Sequence, residues 1–240
     1  MRIAVIGDIH SRSIWEDVVR HAQDNSDQIV FTGDYIDPYD STPFDTLYNI
    51  LNDIIDFKKS QSAILLIGNH DTHYLYDDIQ KSTRYDRKNA TKFEKIYQEN
   101  IDLFQYAYQI DNYLFTHAGV SNTWFNSFKN VLILNGIQPD NSNIGDVLNK
   151  MGGESTLTNR ILNIPGMSRG GYAPSGGITW ADYSDTYRDY LTGFEQFVGH
   201  SKVKFIDKQS IPSIPGSITY CDVLETPNDN MKYNYGIVEL

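Results

Sequence analysis

Carboxylates, amides and imidazoles fall in five short blocks along this 240-residue chain. They read Gly7-Asp8-Ile9-His10, Gly33-Asp34-Tyr35-Ile36-Asp37, Gly68-Asn69-His70-Asp71, Thr116-His117-Ala118-Gly119 and Gly199-His200-Ser201, and they hold four of the six histidines. Two carboxylates, one Asn and three imidazoles make a nitrogen-and-oxygen ligand set suited to two divalent metals. Paired metals activate water and stabilise in-line displacement at phosphorus, so the chemistry this set offers is phosphoester hydrolysis.

Each block alone has an ordinary structural explanation. Asp8 and Asp34 could end strands as turn formers, and Asp34 as an Asx-turn residue. His117 and His200 could be satisfied core histidines. Asp8 and His10, two apart in an extended segment, share a side and could reach one ion. Gly68-Asn69-His70-Asp71 says more, because an Asn-His pair directly after an apolar run has little structural use. Five such signals in order, each beside a strand end, favour a site over coincidence. His21, on a helix, reads as a surface residue, and His73 is left without a role.

The elements that would position these blocks follow from apolar periodicity. Ile3-Ala4-Val5-Ile6, Ile29-Val30-Phe31-Thr32 and Ala63 to Ile67 are short continuous apolar runs, the pattern of strands buried on both faces. Between them, Ile14, Trp15, Val18, Val19 and Ala22 recur at helical spacing after Ser13, a candidate cap. Phe44, Leu47, Ile50, Leu51, Ile54 and Ile55 line one side of a longer helix. A strand–helix–strand–helix–strand start implies right-handed parallel crossovers, and ligands in such sheets gather beyond the carboxyl ends of strands. Asp8, Asp34 and Asn69 stand at three such ends.

The second half differs. Tyr106 to Ile110 and Tyr113 to Thr116 flank Asp111-Asn112, a hairpin signal. Further strands are expected at Glu195–Val198, Val203–Ile206, Ile218–Val223 and Tyr235–Glu239, forming a second, more antiparallel sheet. The Asn-, Gly- and Ser-rich stretch between His117 and His200 reads as a flexible loop or lid with one helix near Ile144–Met151. With no linker, repeat or low-complexity tail, 1–240 is expected to be a single domain, with 121–177 as an insertion or lid.

Composition narrows the partners. Hydrophobic content of 40% supports a core, and the 17 Tyr and 11 Phe are mostly expected inside it. The net charge of −11 and a pI near 4.8 argue against long duplex nucleic acid. They leave phosphorylated small substrates open, since local charge at a metal site decides anion binding. The single Cys221 leaves no internal disulfide and fits a reducing cytosol. The N-terminal apolar run is too short for a signal peptide and no later run suits a membrane span, so a cytoplasmic protein is expected.

As an ordered set the blocks resemble the calcineurin-like metallophosphoesterase signature, Asp-x-His, Gly-Asp-x-x-Asp, Gly-Asn-His-Asp/Glu and two later histidines. Gly33 to Asp37, Phe115 to Ser121 and Trp180 look like the phosphoprotein-phosphatase branch, including its bacterial and phage members. Phosphodiesterase branches end in Gly-His-x-His, and here the second His position is Lys202. The resemblance implies a mixed α/β fold, a four-layer α-β-β-α sandwich of two mixed sheets with a dimetal site at strand C-terminal ends. It implies that Asp8 and His10 hold one metal, that Asp34 bridges both, and that Asn69, His117 and His200 hold the second. A bridging hydroxide would attack phosphorus, His70 would protonate the leaving group, and Asp37 would fix the His70 tautomer. The two ions are expected to be Mn, with Fe, Zn or Mg as alternatives.

This chain departs from the family where arginines usually grip phosphate. Pro38-Tyr39 follows Asp37 in place of Arg-Gly, and Ile67 stands where bacterial members often carry Arg. Arg12, Arg169 and Lys202 are the candidate replacements, each otherwise a solvated surface charge. The expected function is hydrolysis of phosphomonoesters, on a small molecule or a phosphorylated protein side chain. The alternatives are a phosphodiester or dinucleoside-polyphosphate hydrolase of the diadenosine tetraphosphate type, and a non-catalytic scaffold. Intact ligand positions and His70 count against the scaffold.

Overall fold

In the computed structural model, residues 1–134, 136–140, 142–154, 156–224 and 234–240 are described. The first half alternates strands and helices: β1 (Arg2–Ile6), α1 (Trp15–Gln23), β2 (Gln28–Phe31), α2 (Phe44–Ser60), β3 (Ala63–Leu66), α3 (Asn69–Leu75), α4 (Ala90–Glu99) and β4 (Phe104–Gln105). After β5 (Ala107–Ile110) and β6 (Tyr113–Thr116) come α5 (Asn122–Leu134), α6 (Ile144–Glu154), α7 (Thr156–Leu162) and the single turn α8 (Tyr183–Thr186). Four strands follow: β7 (Phe194–Lys202), β8 (Asp207–Ile211), β9 (Ile214–Asp222) and β10 (Gly236–Glu239).

Two five-stranded sheets result, in the orders β10-β1-β2-β3-β4 and β5-β6-β7-β9-β8. In the first, β1 to β4 run parallel and β10 pairs antiparallel with β1. In the second, β6, β7 and β9 are parallel, with β5 and β8 antiparallel at the edges. Both sheets are mixed, as the sandwich expectation requires. The period-2 alternation of β1 explains the layering. Ile3 and Val5 belong to an apolar cluster with Phe115, Phe197 and Cys221 of the second sheet, whereas Ala4 and Ile6 join the helices. Phe115 and Phe197 stack at 5.3 Å between ring centres.

Several local expectations are corrected. Ser13 does not cap α1; Ile14 occupies the cap position without a side-chain hydrogen bond and is exposed. Val203–Ile206 is not a strand, and β8 begins at Asp207, in a polar sequence with few buried positions because it is a sheet edge. Tyr235–Glu239 contributes β10 to the first sheet, not the second. The stretch between His117 and His200 holds more than one helix. In α5, Trp124, Phe125, Phe128 and Leu132 are buried at helical spacing, and Asn149 of α6 accepts from the backbone of Tyr106 and Ala107. Polar residues between those positions hid the stripe.

Cys221 is fully buried on β9, and burial pushes its thiol up to about 12. The folded protein is therefore expected to show no titratable thiol with Ellman's reagent, and one thiol after denaturation. Modification at the rate of free cysteine in the folded protein would contradict this packing.

Candidate metal centre

The strand ends of both sheets deliver the five blocks to one cleft. Asp8 follows β1, Asp34 follows β2, and Asn69 and His70 open α3 just after β3. His117 follows β6. His200 lies within β7, where the pairing with β9 shifts register between Val198 and Lys202. The strand was expected to end before Gly199; instead a bulge turns the His200 side chain out of the ladder. His10, Asp34, Asp37 and His200 all have φ between +44° and +63°, a region non-glycine residues rarely adopt. Such strain persists only where surrounding contacts over-determine it.

Those contacts are hydrogen bonds that aim each ligand atom. His10 Nδ1 lies 3.0 Å from Ile36 O, and His117 Nδ1 lies 2.7 Å from Thr32 O. A carbonyl only accepts, so both rings carry their proton on Nδ1 and turn a bare Nε2 to the cleft. Asp34 Oδ1 accepts from the His70 amide at 2.8 Å. Its Oδ2 lies 3.6 Å from both His10 Nε2 and His117 Nε2. The Asn69 amide donates to Ser82 Oγ, which points its Oδ1 to within 3.0 Å of His117 Nε2. His200 Nδ1 lies 3.1 Å from the same Nε2. Asp8 accepts from the His200 amide through both oxygens, at 3.0 and 3.2 Å.

The donor set fits divalent cations on a direct count. His117 Nε2 is an acceptor, yet two further acceptors, Asn69 Oδ1 and Asp34 Oδ2, converge on it, with His200 Nδ1 also 3.1 Å away. Acceptors facing acceptors in a buried site need a cation between them. The titration behaviour agrees. Burial, reinforced by Asp222, drives Asp8 well above the usual carboxylate range; burial and Asp71 do the same to Asp34. Burial, with neighbouring imidazoles, pushes His10 and His200 well down. Two clusters able to hold an ion, His10–Asp34–His70 and Asp34–His117–His200, share Asp34.

His70 stands beside this set with a different arrangement. Its Nδ1 lies 2.8 Å from Asp37 Oδ2, leaving Nε2 toward the cleft. His73 Nε2 is 2.8 Å from the same oxygen, a close polar contact rather than an aligned hydrogen bond, while its Nδ1 accepts from the Ser82 amide. Tyr74 donates to Asp37 Oδ1 at 2.6 Å. Burial raises Asp37, but the His70 and His73 imidazoles more than offset it and leave the carboxyl below its usual range. A third cluster with ligand-like spacing, Asp37–His70–His73, is thus accounted for by its own contacts.

Some structural roles escaped the sequence. Asp71 is fully buried and accepts from the amides of Asp34, Tyr35 and Gly68 and from Tyr97 Oη, tying the second and third blocks together. Its place in the third block was the available signal. Gly199 has no room for a side chain: a methyl group there would overlap Asp8 Oδ1 and Thr32 Oγ1. Gly199→Ala is therefore expected to displace Asp8 and weaken metal binding by roughly tenfold or more, measured by competition with a fluorescent chelator. Unaltered metal affinity would show that the loop gives way freely.

The cations also sort themselves. Arg12 donates to Asp8 O at 2.8 Å and lines a neighbouring cavity. Lys202 lies over the Tyr39 ring, 3.5 Å from its centre. Arg169 lines the cleft, pairs with Asp182 at 2.7 Å and reaches Ser201. Arg84, not among the candidates, lines the cleft of about 240 Å³ together with Asp8, His10, Asn69, His70 and His200. Its signal was only a basic residue in the polar stretch after α3.

Comparison with known proteins agrees with this geometry. The calcineurin-like phosphoesterase family matches residues 1–201. No curated protein sequence matches the chain. The solved structures it resembles include a cold-active protein-tyrosine phosphatase of a psychrophilic Shewanella species, at 14% identity and a TM-score of 0.52, covering 93% of this chain and 71% of that one. Others are a metallophosphoesterase from Sphaerobacter thermophilus (13%, TM-score 0.43, 100% and 84% covered) and a protein serine/threonine phosphatase from Saccharomyces cerevisiae (16%, 0.45, 94% and 69%).

Proposed function

Because the chain belongs to the calcineurin-like phosphoesterase family, whose members are metal-dependent hydrolases, we propose that it is a binuclear phosphatase of phosphomonoesters. The observation that carries this reading is the convergence of bare acceptor atoms from Asp34, Asn69 and His117, with the His200 imidazole against them, beside Asp8 and His10 and with His70 Nε2 facing the same cleft. Asp8, His10 and Asp34 would hold one ion, and Asp34, Asn69, His117 and His200 the other. When bound, the ions supply Lewis acidity toward phosphoryl oxygens and lower the pKa of water. Manganese suits the hard oxygen and imidazole donors.

The remaining work falls to the side chains. His70 is placed to hand a proton from Nε2 to the leaving alkoxide, as a general acid must. Burial lowers the imidazole to about 4, against the opposing pull of Asp37. A phosphate dianion entering the cleft brings negative charge beside the ring and raises its proton affinity. Asp37 keeps the proton-bearing Nδ1 turned inward, and Tyr74 holds Asp37 in turn.

Small phosphomonoesters and phosphorylated protein side chains both fit this chemistry, and the tyrosine phosphatase resemblance, at the level of fold, makes phosphotyrosine peptides a sensible early substrate. The test is turnover of p-nitrophenyl phosphate, bis-p-nitrophenyl phosphate and diadenosine tetraphosphate by manganese-loaded protein. The reading expects the monoester to be preferred and chelation by EDTA to abolish turnover. Preference for the dinucleotide or the diester would replace it with the phosphodiesterase alternative.

A further inference from the structure

We infer that Arg84 grips the non-bridging oxygens of a phosphomonoester dianion and so selects monoesters over diesters, an inference that rests on the phosphoesterase reading of the cleft. It starts from the segment Ser82 to Asp86, which is fastened to the site at several points. Ser82 Oγ accepts from the Asn69 side chain and donates to Asn69 O at 3.0 Å, while its amide donates to His73. Asp86 N donates to Tyr74 Oη at 2.9 Å. Between these anchors Arg84 adopts φ +66°, a left-handed conformation that strains a non-glycine residue. The chain accepts that strain at a residue that lines the cleft beside Ser82 and Thr83.

The guanidinium is held as firmly as the backbone. Nε donates to Asp37 O at 3.0 Å, and the plane lies over the Tyr39 ring, 3.8 Å from its centre. Nη2 is thereby placed 3.3 Å from His70 Nε2 and 3.4 Å from both nitrogens of His10. These contacts are long, and they are made to groups proposed to bind a cation and to carry a proton. Among the described residues Arg84 makes no ion pair, whereas Arg169 pairs with Asp182. A half-buried guanidinium aimed at a site for two cations is favourable only if an anion sits between them. A fixed fork at that place suits adjacent oxygens of one phosphoryl group. A monoester dianion offers three non-bridging oxygens and two charges; a diester offers two oxygens and one charge. An arginine acting here therefore favours the monoester.

The experiment compares Arg84→Ala and Arg84→Lys with the unmodified protein, all manganese-loaded, with metal content and circular dichroism checked first. For Arg84→Ala, kcat/KM on p-nitrophenyl phosphate is expected to fall about 100-fold, while the value on bis-p-nitrophenyl phosphate falls less than about fivefold. Arg84→Lys should recover part of the monoester rate. Independently of turnover, inorganic phosphate should raise the melting temperature of the unmodified protein and fail to do so for Arg84→Ala. Equal losses on both esters, or an unchanged phosphate-induced shift, would overturn the inference. An unmodified protein inactive with every metal and ester would instead refute the phosphatase reading, and the phosphate shift would still decide whether Arg84 binds the anion.

Discussion

Asp34→Asn is expected to lower kcat on p-nitrophenyl phosphate by on the order of 10³-fold or more, about 4 kcal/mol of barrier, and to cut bound metal from two ions to one or none. The size follows from position. Oδ2 of this carboxylate is equidistant, at 3.6 Å, from the bare nitrogens of His10 and His117, so one charge serves both clusters. The same variant has a second consequence of opposite sign. Without metal, the Asp34 carboxylate is buried beside Asp71, Asp37 and Asp222, which disfavours its ionised form. Asparagine removes that charge, keeps an oxygen for the His70 amide, and can turn its NH₂ to the two imidazole acceptors. Metal-stripped Asp34→Asn should therefore melt no lower than metal-stripped parent protein. Manganese should stabilise the parent and have little effect on the variant. Full activity in Asp34→Asn would remove the basis for a shared metal ligand.

His70→Asn should lower kcat by roughly 10²–10⁴-fold while metal content stays at two ions per chain. It is a different kind of loss, because His70 Nδ1 is engaged by Asp37 and only Nε2 faces the cleft. The deficit should depend on the leaving group. Nitrophenolate departs readily as an anion, so the variant should lose less on p-nitrophenyl phosphate than on phenyl or alkyl phosphates. A deficit independent of the leaving group would contradict proton transfer by the His70 side chain, because the backbone amide that holds Asp34 survives the substitution. Since the amide remains in any variant, the two roles separate cleanly.

The candidate centre was legible in the sequence because its parts are fixed locally. Asp8, Asp34 and Asn69 each follow a short apolar strand within two or three residues, so a buried run ending in glycine announces where the side chain must stand. The fold's first half was legible for the same reason: continuous runs and helical spacing recur without interruption from β1 to β3. What was hidden depends on distant pairing. β10 joins β1 across almost the whole chain, with Arg2 opposite Glu239, and nothing in Gly236–Glu239 says which sheet it enters. β8 is a polar edge whose pairing comes from β9 rather than from its own hydrophobicity. His200 required a bulge, and Arg84 required a strap pinned by Ser82 and Asp86. In each case the decisive contact lies outside the local segment.

The candidate phosphate-binding cations show this most sharply. Arg12 and Lys202 are candidates because they stand beside recognised blocks, and Arg169 because it lies in the Gly-rich stretch before Trp180; each criterion is local. Arg12 donates to the backbone of Asp8, Arg169 pairs with Asp182, and Lys202 lies on Tyr39. Arg84 reaches His10 and His70 from a segment with no block of its own. Tyr39, beside the residue that breaks the family pattern at Pro38, is the surface on which Arg84 and Lys202 both rest.

A crystal of manganese-loaded protein, measured for anomalous scattering at the manganese absorption edge, would show whether two cations share Asp34. Two peaks per chain are expected, one beside Asp8 and His10 and one beside Asn69, His117 and His200, with Asp34 Oδ2 between them. A single peak, or none, at full manganese loading would contradict that sharing.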